Sequence, residues 1–346
     1  MREQVLTAGR ERRPLRIRGH GTKDFLGGEL TGSVLDTGAL SGVIDYDPAE
    51  LVMTARSGTP LSAVETLLGR RGQFLAFEPP AFNGDPTLGG IIATGLAGPR
   101  RASAGAVRDF VLGVKLLTAG GELLSFGGRV MKNVAGFDVA RLVCGSFGIL
   151  GVIVEASVKV LPLPAAELTL AFELDAGAAI AAFNRWSRRP WPVSASCWHD
   201  GVARLRLSGA GPAIAAACRE LGGEPQDALA AQRWWRGVRD HGHPFLAAAG
   251  PLWRLSLPPT STAALPAGAQ LIEWAGALRW LRCEAPAAEV REAACRAGGS
   301  AALWHAASRE PLHGTLPPPL LAIHRRLKDS FDPQRIFNPG RLLAEL

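Results

Sequence analysis

Two glycine-bearing runs constrain this chain more than any other feature. They are Asp85-Pro86-Thr87-Leu88-Gly89-Gly90-Ile91-Ile92-Ala93-Thr94-Gly95 and Cys144-Gly145-Ser146-Phe147-Gly148-Ile149-Leu150-Gly151-Val152-Ile153. Each sets glycines among small and β-branched residues, between apolar runs that read as buried strands. Glycine tolerates φ > 0 and lets backbone approach a neighbour or a ligand closely. Two such places within residues 78–164 predict a long ligand that threads past several backbone turns. Thr87-Leu88-Gly89-Gly90 is expected to open a helix through Leu96 whose first N–H groups and dipole face an anion.

The surrounding pattern predicts an α+β domain with mixed strands. Leu15-Arg16-Ile17-Arg18 alternates like a short strand and runs into Gly19-His20-Gly21-Thr22-Lys23, a turn whose successive N–H groups suit a pyrophosphate. The Walker pattern is absent, as is Gly-x-Gly-x-x-Gly opening a helix, which weighs against P-loop NTPases and Rossmann NAD enzymes. Short strands are expected at 34–37, 42–46, 51–55 and 74–77, with a helix from 60 to about 70 that carries Pro60 at its first position. Strands at 111–117 and 122–126 make a hairpin around Ala119-Gly120-Gly121. Residues 135–144 have helical spacing, and a strand at 152–160 closes the domain. The charged residues 1–14 carry little structural signal.

Pro162 and Pro164 mark a boundary. Beyond it a strand–helix–strand succession occurs twice, each half like a split βαβ unit, which predicts one antiparallel sheet covered by helices. Domains are therefore expected at 1–164 and 165–310, with a helix and tail at 311–346 that return to the first. The last helix, 317–330, is read with Leu320, Leu321, Ile323, His324 and Leu327 inward. The tail Phe331-Asp332-Pro333-Gln334-Arg335-Ile336-Phe337-Asn338-Pro339-Gly340-Arg341 is apolar and turn-rich enough to dock rather than fray.

Composition narrows the function classes. Of 346 residues, 47% are hydrophobic and 20% charged, enough for two buried cores. The net charge of +7 comes from dispersed arginines without interleaved aromatics, so no nucleic-acid partner is expected. Cys144, Cys197, Cys218, Cys283 and Cys295 form no Cys-x-x-Cys pair, which disfavours an iron–sulfur cluster and a disulfide framework. The spacings of His199, His241, His243 and His305 match no zinc pattern, and no metal is expected. No run of about 18 apolar residues is present. Met1-Arg2-Glu3-Gln4 leads into polar sequence without an h-region, so a cytoplasmic location is expected, with any membrane association through partners.

Three features together, the Gly19–Lys23 turn, the Thr87–Gly95 helix start with the 148–153 turn, and the Asp332-Pro333…Asn338-Pro339-Gly340 tail, resemble the flavin-binding domain of the vanillyl-alcohol oxidase (PCMH) type. Over nearly the whole chain, including Gly276-Ala277-Leu278-Arg279-Trp280, the sequence is similar to the family of FAD-binding subunits of bacterial glycolate oxidase. That resemblance implies a PCMH-type two-subdomain FAD domain with a small α+β cap. It also implies an FAD-dependent oxidoreductase acting on the CH–OH group of a small 2-hydroxy acid. Arg18, Gly19, His20, Gly21, Thr22 and Lys23 would hold the FAD pyrophosphate. Thr87, Gly89, Gly90, Thr94 and Gly95 would continue the contacts, with Gly105 in a loop along the flavin. Gly148, Leu150, Gly151 and Ile153 would border the adenine half, and Asn338 would return from the tail towards the isoalloxazine.

His20 lies between two glycines, one place earlier than the His that some members attach to flavin, so FAD is expected to be non-covalent. The implied partners are a sister flavoprotein subunit and an iron–sulfur subunit, the latter taking electrons that this chain has no cluster to receive. A 2-hydroxy acid oxidation needs a base for the hydroxyl proton and a cation for the carboxylate. Arg100, Arg101, Arg108, Lys132 and Asn133 are the candidates, and none forms a convincing His-plus-Arg constellation. Phe137 stands where related catalytic flavoproteins often carry Tyr, and no catalytic base is assigned. A non-catalytic flavin-binding or electron-relay subunit is the alternative.

Overall fold

The fold is that of a computed structural model, which describes residues 1–128, 137–305 and 309–346. The chain divides into two compact units: residues 1–96, 106–162 and 309–346 form the first, and residues 97–105 and 163–308 form the second. The architecture is α+β.

The first unit is built on a five-stranded antiparallel sheet, ordered Val43–Asp47, Val52–Arg56, Val152–Lys159, Val111–Leu117 and Leu123–Gly127. The expected hairpin is present, closed where Gly121 N–H donates to the Thr118 carbonyl at 3.0 Å. A separate parallel pair, Leu15–Arg18 with Ser33–Asp36, carries the glycine-rich turn at its end. The 74–77 strand is realised only as the short strand Gln73–Phe74, paired with Leu161–Pro162. Part of the 135–144 helix expectation lies outside the described residues, and the described part is the single turn Val139–Leu142.

Two features of this unit depart from the sequence pattern. Residues Arg2–Glu11 form a helix, with Val5 and Ala8 buried against Leu15, Leu35, Leu117, Val152 and Phe337. Two apolar residues one turn apart suffice to dock it, too few to stand out as a stripe. The last helix, Pro318–Phe331, leaves Leu320 42% and Ile323 46% exposed, so the expected inward face is corrected. Its one buried residue is Lys328, paired at 2.7 Å with Asp332, both 0% exposed. A buried ion pair, rather than an apolar stripe, fixes this helix.

The second unit is one eight-stranded antiparallel sheet, as the repeated pattern predicts. Helices Ala176–Trp186 and Gly211–Leu221 cover one core, and Ala287–Arg296 another. Residues 97–105 belong here through long-range bonds: Ser103 Oγ donates to the Ser194 carbonyl at 2.8 Å, and Trp274 Nε1 donates to the Gly98 carbonyl at 3.1 Å. His241 packs against the rings of Trp280 and Trp304, and burial pulls its pKa down to about 3. His243 caps the turn Pro244–Ala247, with burial lowering it to about 4. Both are neutral packing groups at physiological pH.

One glycine of the first unit gives a direct test of its packing. Gly148 has φ 73°, and a Cβ there would lie 2.8 Å from Asn338 Nδ2. Gly148→Ala is expected to lower stability by about 1–3 kcal/mol, read as a lower midpoint in thermal unfolding, because left-handed strain and the displaced Asn338 add.

Candidate functional site

The parallel pair, the helix Leu88–Thr94, the 146–151 turn and the C-terminal tail line an open cleft in the first unit. Its wall includes Arg18, Gly19, His20, Gly21, Thr22, Lys23, Thr87, Gly89, Gly90, Thr94, Gly148, Gly151, Ile153 and Asn338. Three residues named from the sequence are not on that wall. Gly95 ends the helix in the left-handed region at φ 63°, Leu150 is buried, and Gly105 belongs to the second unit. Among the residues proposed for substrate, Arg100 is engaged in the second unit by Glu167 at 2.9 Å and Arg101 lies over the Trp274 ring. Arg108 is exposed, Phe137 is 95% exposed, and Lys132 and Asn133 lie outside the described residues.

The glycine-rich turn is open to an acceptor. The main-chain N–H groups from Gly19 to Lys23 find no acceptor among the described residues. The helix start behaves differently from expectation. Leu88 N–H donates to the Thr59 carbonyl, Gly89 N–H to the Ser57 carbonyl, and Gly90 N–H to Thr87 Oγ1 at 3.3 Å. These first-turn donors are already satisfied, so the helix contributes shape to the cleft and the turn contributes the free donors.

Charge in the cleft is strongly one-sided. Arg16, Arg18, Lys23 and Arg341 line it, against Asp24 alone among the described lining carboxylates. Asp24 is bound by Arg16 and, at 3.0 Å, by Arg18 Nε. Lys23 is only 7% exposed, and its ammonium donates to Thr22 Oγ1 at 3.3 Å and lies 5.7 Å from the Phe82 ring centre. Burial without a carboxylate partner lowers its pKa to about 8. Arg341 donates to the carbonyls of Lys23 and Gly28, gripping the oxygen side of the turn, and burial lowers it to about 10 against the pull of Asp24. Ser57 Oγ, on a residue 1% exposed, lines the cleft with no hydrogen-bond partner. Arg341 follows the Asn338-Pro339-Gly340 turn and was within reach of motif reading; Ser57 carries no sequence signal of its own.

Asn338 and His20 are held by main chain. Asn338 Oδ1 accepts from Ile17 N–H at 2.8 Å and its Nδ2 donates to the Phe147 carbonyl at 2.6 Å. Both ends of this amide therefore tie cleft walls together. His20 Nδ1 lies 2.6 Å from the Asp85 carbonyl oxygen, an acceptor that places the ring proton on Nδ1.

Comparison with known proteins agrees with this geometry. The FAD binding domain family (FAD_binding_4) matches residues 1–127, and the FAD linked oxidases, C-terminal domain family (FAD-oxidase_C) matches residues 276–342. Glycolate oxidase subunit GlcE of Escherichia coli (strain K12) is 44% identical over 344 residues, 99% of this chain and 97% of that protein. Glycolate oxidase subunit GlcD of Bacillus subtilis (strain 168) is 33% identical over 171 residues, 48% of this chain and 36% of that protein. In fold, the chain is similar to alkyldihydroxyacetonephosphate synthase, with TM-score 0.67 at 17% identity over 99% of this chain and 75% of that one.

The cofactor is FAD, and the residues present fit it. Free N–H groups, an ammonium without a counter-ion and an orphaned buried hydroxyl all call for the acceptor oxygens of a dianionic pyrophosphate. Lys23 gives a measurable consequence. Its folded pKa lies below the ordinary value of 10.5, so the apoprotein gains stability from this group as pH rises from about 8 towards 10.5. A phosphate beside the ammonium favours the charged form, so FAD binding at about pH 9 is expected to take up as much as about one proton. Calorimetry in two buffers of different ionisation enthalpy reads the uptake, and Lys23→Met should abolish it.

Proposed function

The chain belongs to the GlcE family of glycolate oxidase subunits, and from that membership we propose that it is the FAD-binding subunit of a complex oxidising glycolate to glyoxylate. Electrons then pass to an iron–sulfur subunit, with a sister flavoprotein subunit in the same complex. The observation that carries this reading is the cation-lined cleft of a chain aligned end to end with a glycolate oxidase subunit.

When bound, FAD supplies the two-electron acceptor for the oxidation. The chain's own residues bind and orient it. The N–H groups from Gly19 to Lys23 and the Lys23 ammonium hold the pyrophosphate, with Arg18 beside them. Ser57 donates its hydroxyl hydrogen to a cofactor oxygen. Thr87, Gly89, Gly90 and Thr94 form one wall, and Gly148, Gly151 and Ile153 border the adenine half. Gly95 and Leu150 support these walls from behind. His20 is anchored through Nδ1, and FAD is held without a covalent bond.

A second reading, favoured by Phe137 standing where a hydroxyl-bearing Tyr would be expected, is a flavin that stabilises the complex or relays electrons from the sister subunit.

Purification of the chain with its flavin separates these roles. A yellow protein is expected, and a colourless one would overturn FAD binding. Bleaching of the flavin band on anaerobic addition of glycolate assigns oxidation to this subunit, whereas persistent oxidised flavin assigns the relay role. On a denaturing gel the flavin should leave the protein band; fluorescence that stays with the band would refute non-covalent binding.

A further inference from the structure

We propose that Lys328 is a positioning residue for the cofactor cleft, setting Asn338 and, through Asn338, the two main-chain walls that face FAD. This rests on the cleft being the FAD site.

The Lys328 ammonium has three hydrogens and three acceptors, each from a different segment. They are Asp332 Oδ2 at 2.7 Å on its own helix, the Ile149 carbonyl at 2.8 Å beside the cleft turn, and the Phe337 carbonyl at 2.9 Å in the tail. Asp332 completes the junction by accepting from Ile336 N–H at 3.1 Å and Phe337 N–H at 2.8 Å. Helix, turn and tail thus meet at one fully buried ion pair. The next residue along the tail is Asn338, whose amide joins Ile17 to Phe147.

Replacing a buried ion pair with apolar groups is often neutral for stability, so stability alone does not explain one here. What an ammonium supplies, and an alkyl chain does not, is direction: three donors fix the relative placement of three acceptors. Phe337 and Asn338 are adjacent, and Ile149 is one residue from Gly148 on the cleft wall. A shift at the ammonium is therefore passed to Asn338 itself and to the 146–151 turn that carries its acceptor Phe147. Lys328 is not on the cleft wall, and the route proposed for its effect on cofactor binding runs through Asn338.

Lys328→Met alone leaves Asp332 buried and unpaired and can prevent folding. The informative variant is Lys328→Met with Asp332→Asn, which removes both charges and keeps an acceptor for one of the two tail N–H groups. FAD dissociation constants are measured on the full chain by flavin fluorescence, with thermal unfolding recorded in parallel. The pair variant and Asn338→Ala are each expected to weaken FAD by about tenfold. Combining all three substitutions should weaken it little beyond Asn338→Ala alone. Wild-type affinity in the pair variant, or losses that multiply in the combined one, would overturn the positioning role. A wild-type chain that binds no FAD would instead remove the reading of the cleft on which it rests.

Discussion

Leu15 and the C-terminal tail are joined by main-chain hydrogen bonds, and the cofactor cleft depends on that junction. Leu15 N–H donates to the Ile336 carbonyl at 2.6 Å, and Asn338 N–H donates to the Leu15 carbonyl at 2.9 Å. The tail thereby becomes a third strand-like segment beside the parallel pair that carries the Gly19–Lys23 turn. Its core consists of Leu15, Leu35, Val152, Ile336 and Phe337, drawn from both ends and the middle of the sequence. Closing so long a loop costs little more than closing a shorter one, because the entropy grows only with the logarithm of length. It does require nearly the whole chain to be present before the cleft has a floor.

The electrostatics of the cleft follow from that frame. Lys23, Arg16, Arg18 and Arg341 are brought to one end of the cleft, and Asp24 is the nearest compensation. Burial without an anion disfavours the charged forms, which is the physical content of the lowered Lys23 and Arg341 pKa values. The fold holds Arg341 there through carbonyl contacts and Lys23 through buried neighbours. A pyrophosphate at this turn would compensate the buried charge and the unmet N–H donors at once. Affinity is thus built from preorganised donors rather than from groups that must move to meet the ligand.

Much of this was legible before any coordinates. The helix opens at Thr87-Leu88 and the Gly19–Lys23 turn follows its strand, because these are local rules written in single residues, whereas the helix stops at the left-handed Gly95 rather than running through Leu96. The antiparallel second sheet followed from a repeated pattern. What escaped was held by side chains that apolar periodicity does not score. Residues 97–105 join the second unit through Arg100, Ser103 and the Trp274 indole, each bonded far along the sequence. The last helix shows an apolar face in sequence, yet its fixed point is Lys328 four residues before Asp332, a pair that resembles any surface i,i+4 ion pair. Ser57 is one serine among many until its hydroxyl is seen buried without a partner.

The glycines themselves are better explained by contact between walls than by contact with the ligand. A Cβ on Gly19 would strike the Thr87 side chain, one on Gly89 would lie 2.7 Å from Ser57 Cβ, and one on Gly148 would meet the Asn338 amide. In each case glycine brings two segments of the cleft together, and the ligand-facing groups are the N–H donors and cations those segments carry. Cofactor binding is therefore specified by wall spacing, which many glycines share.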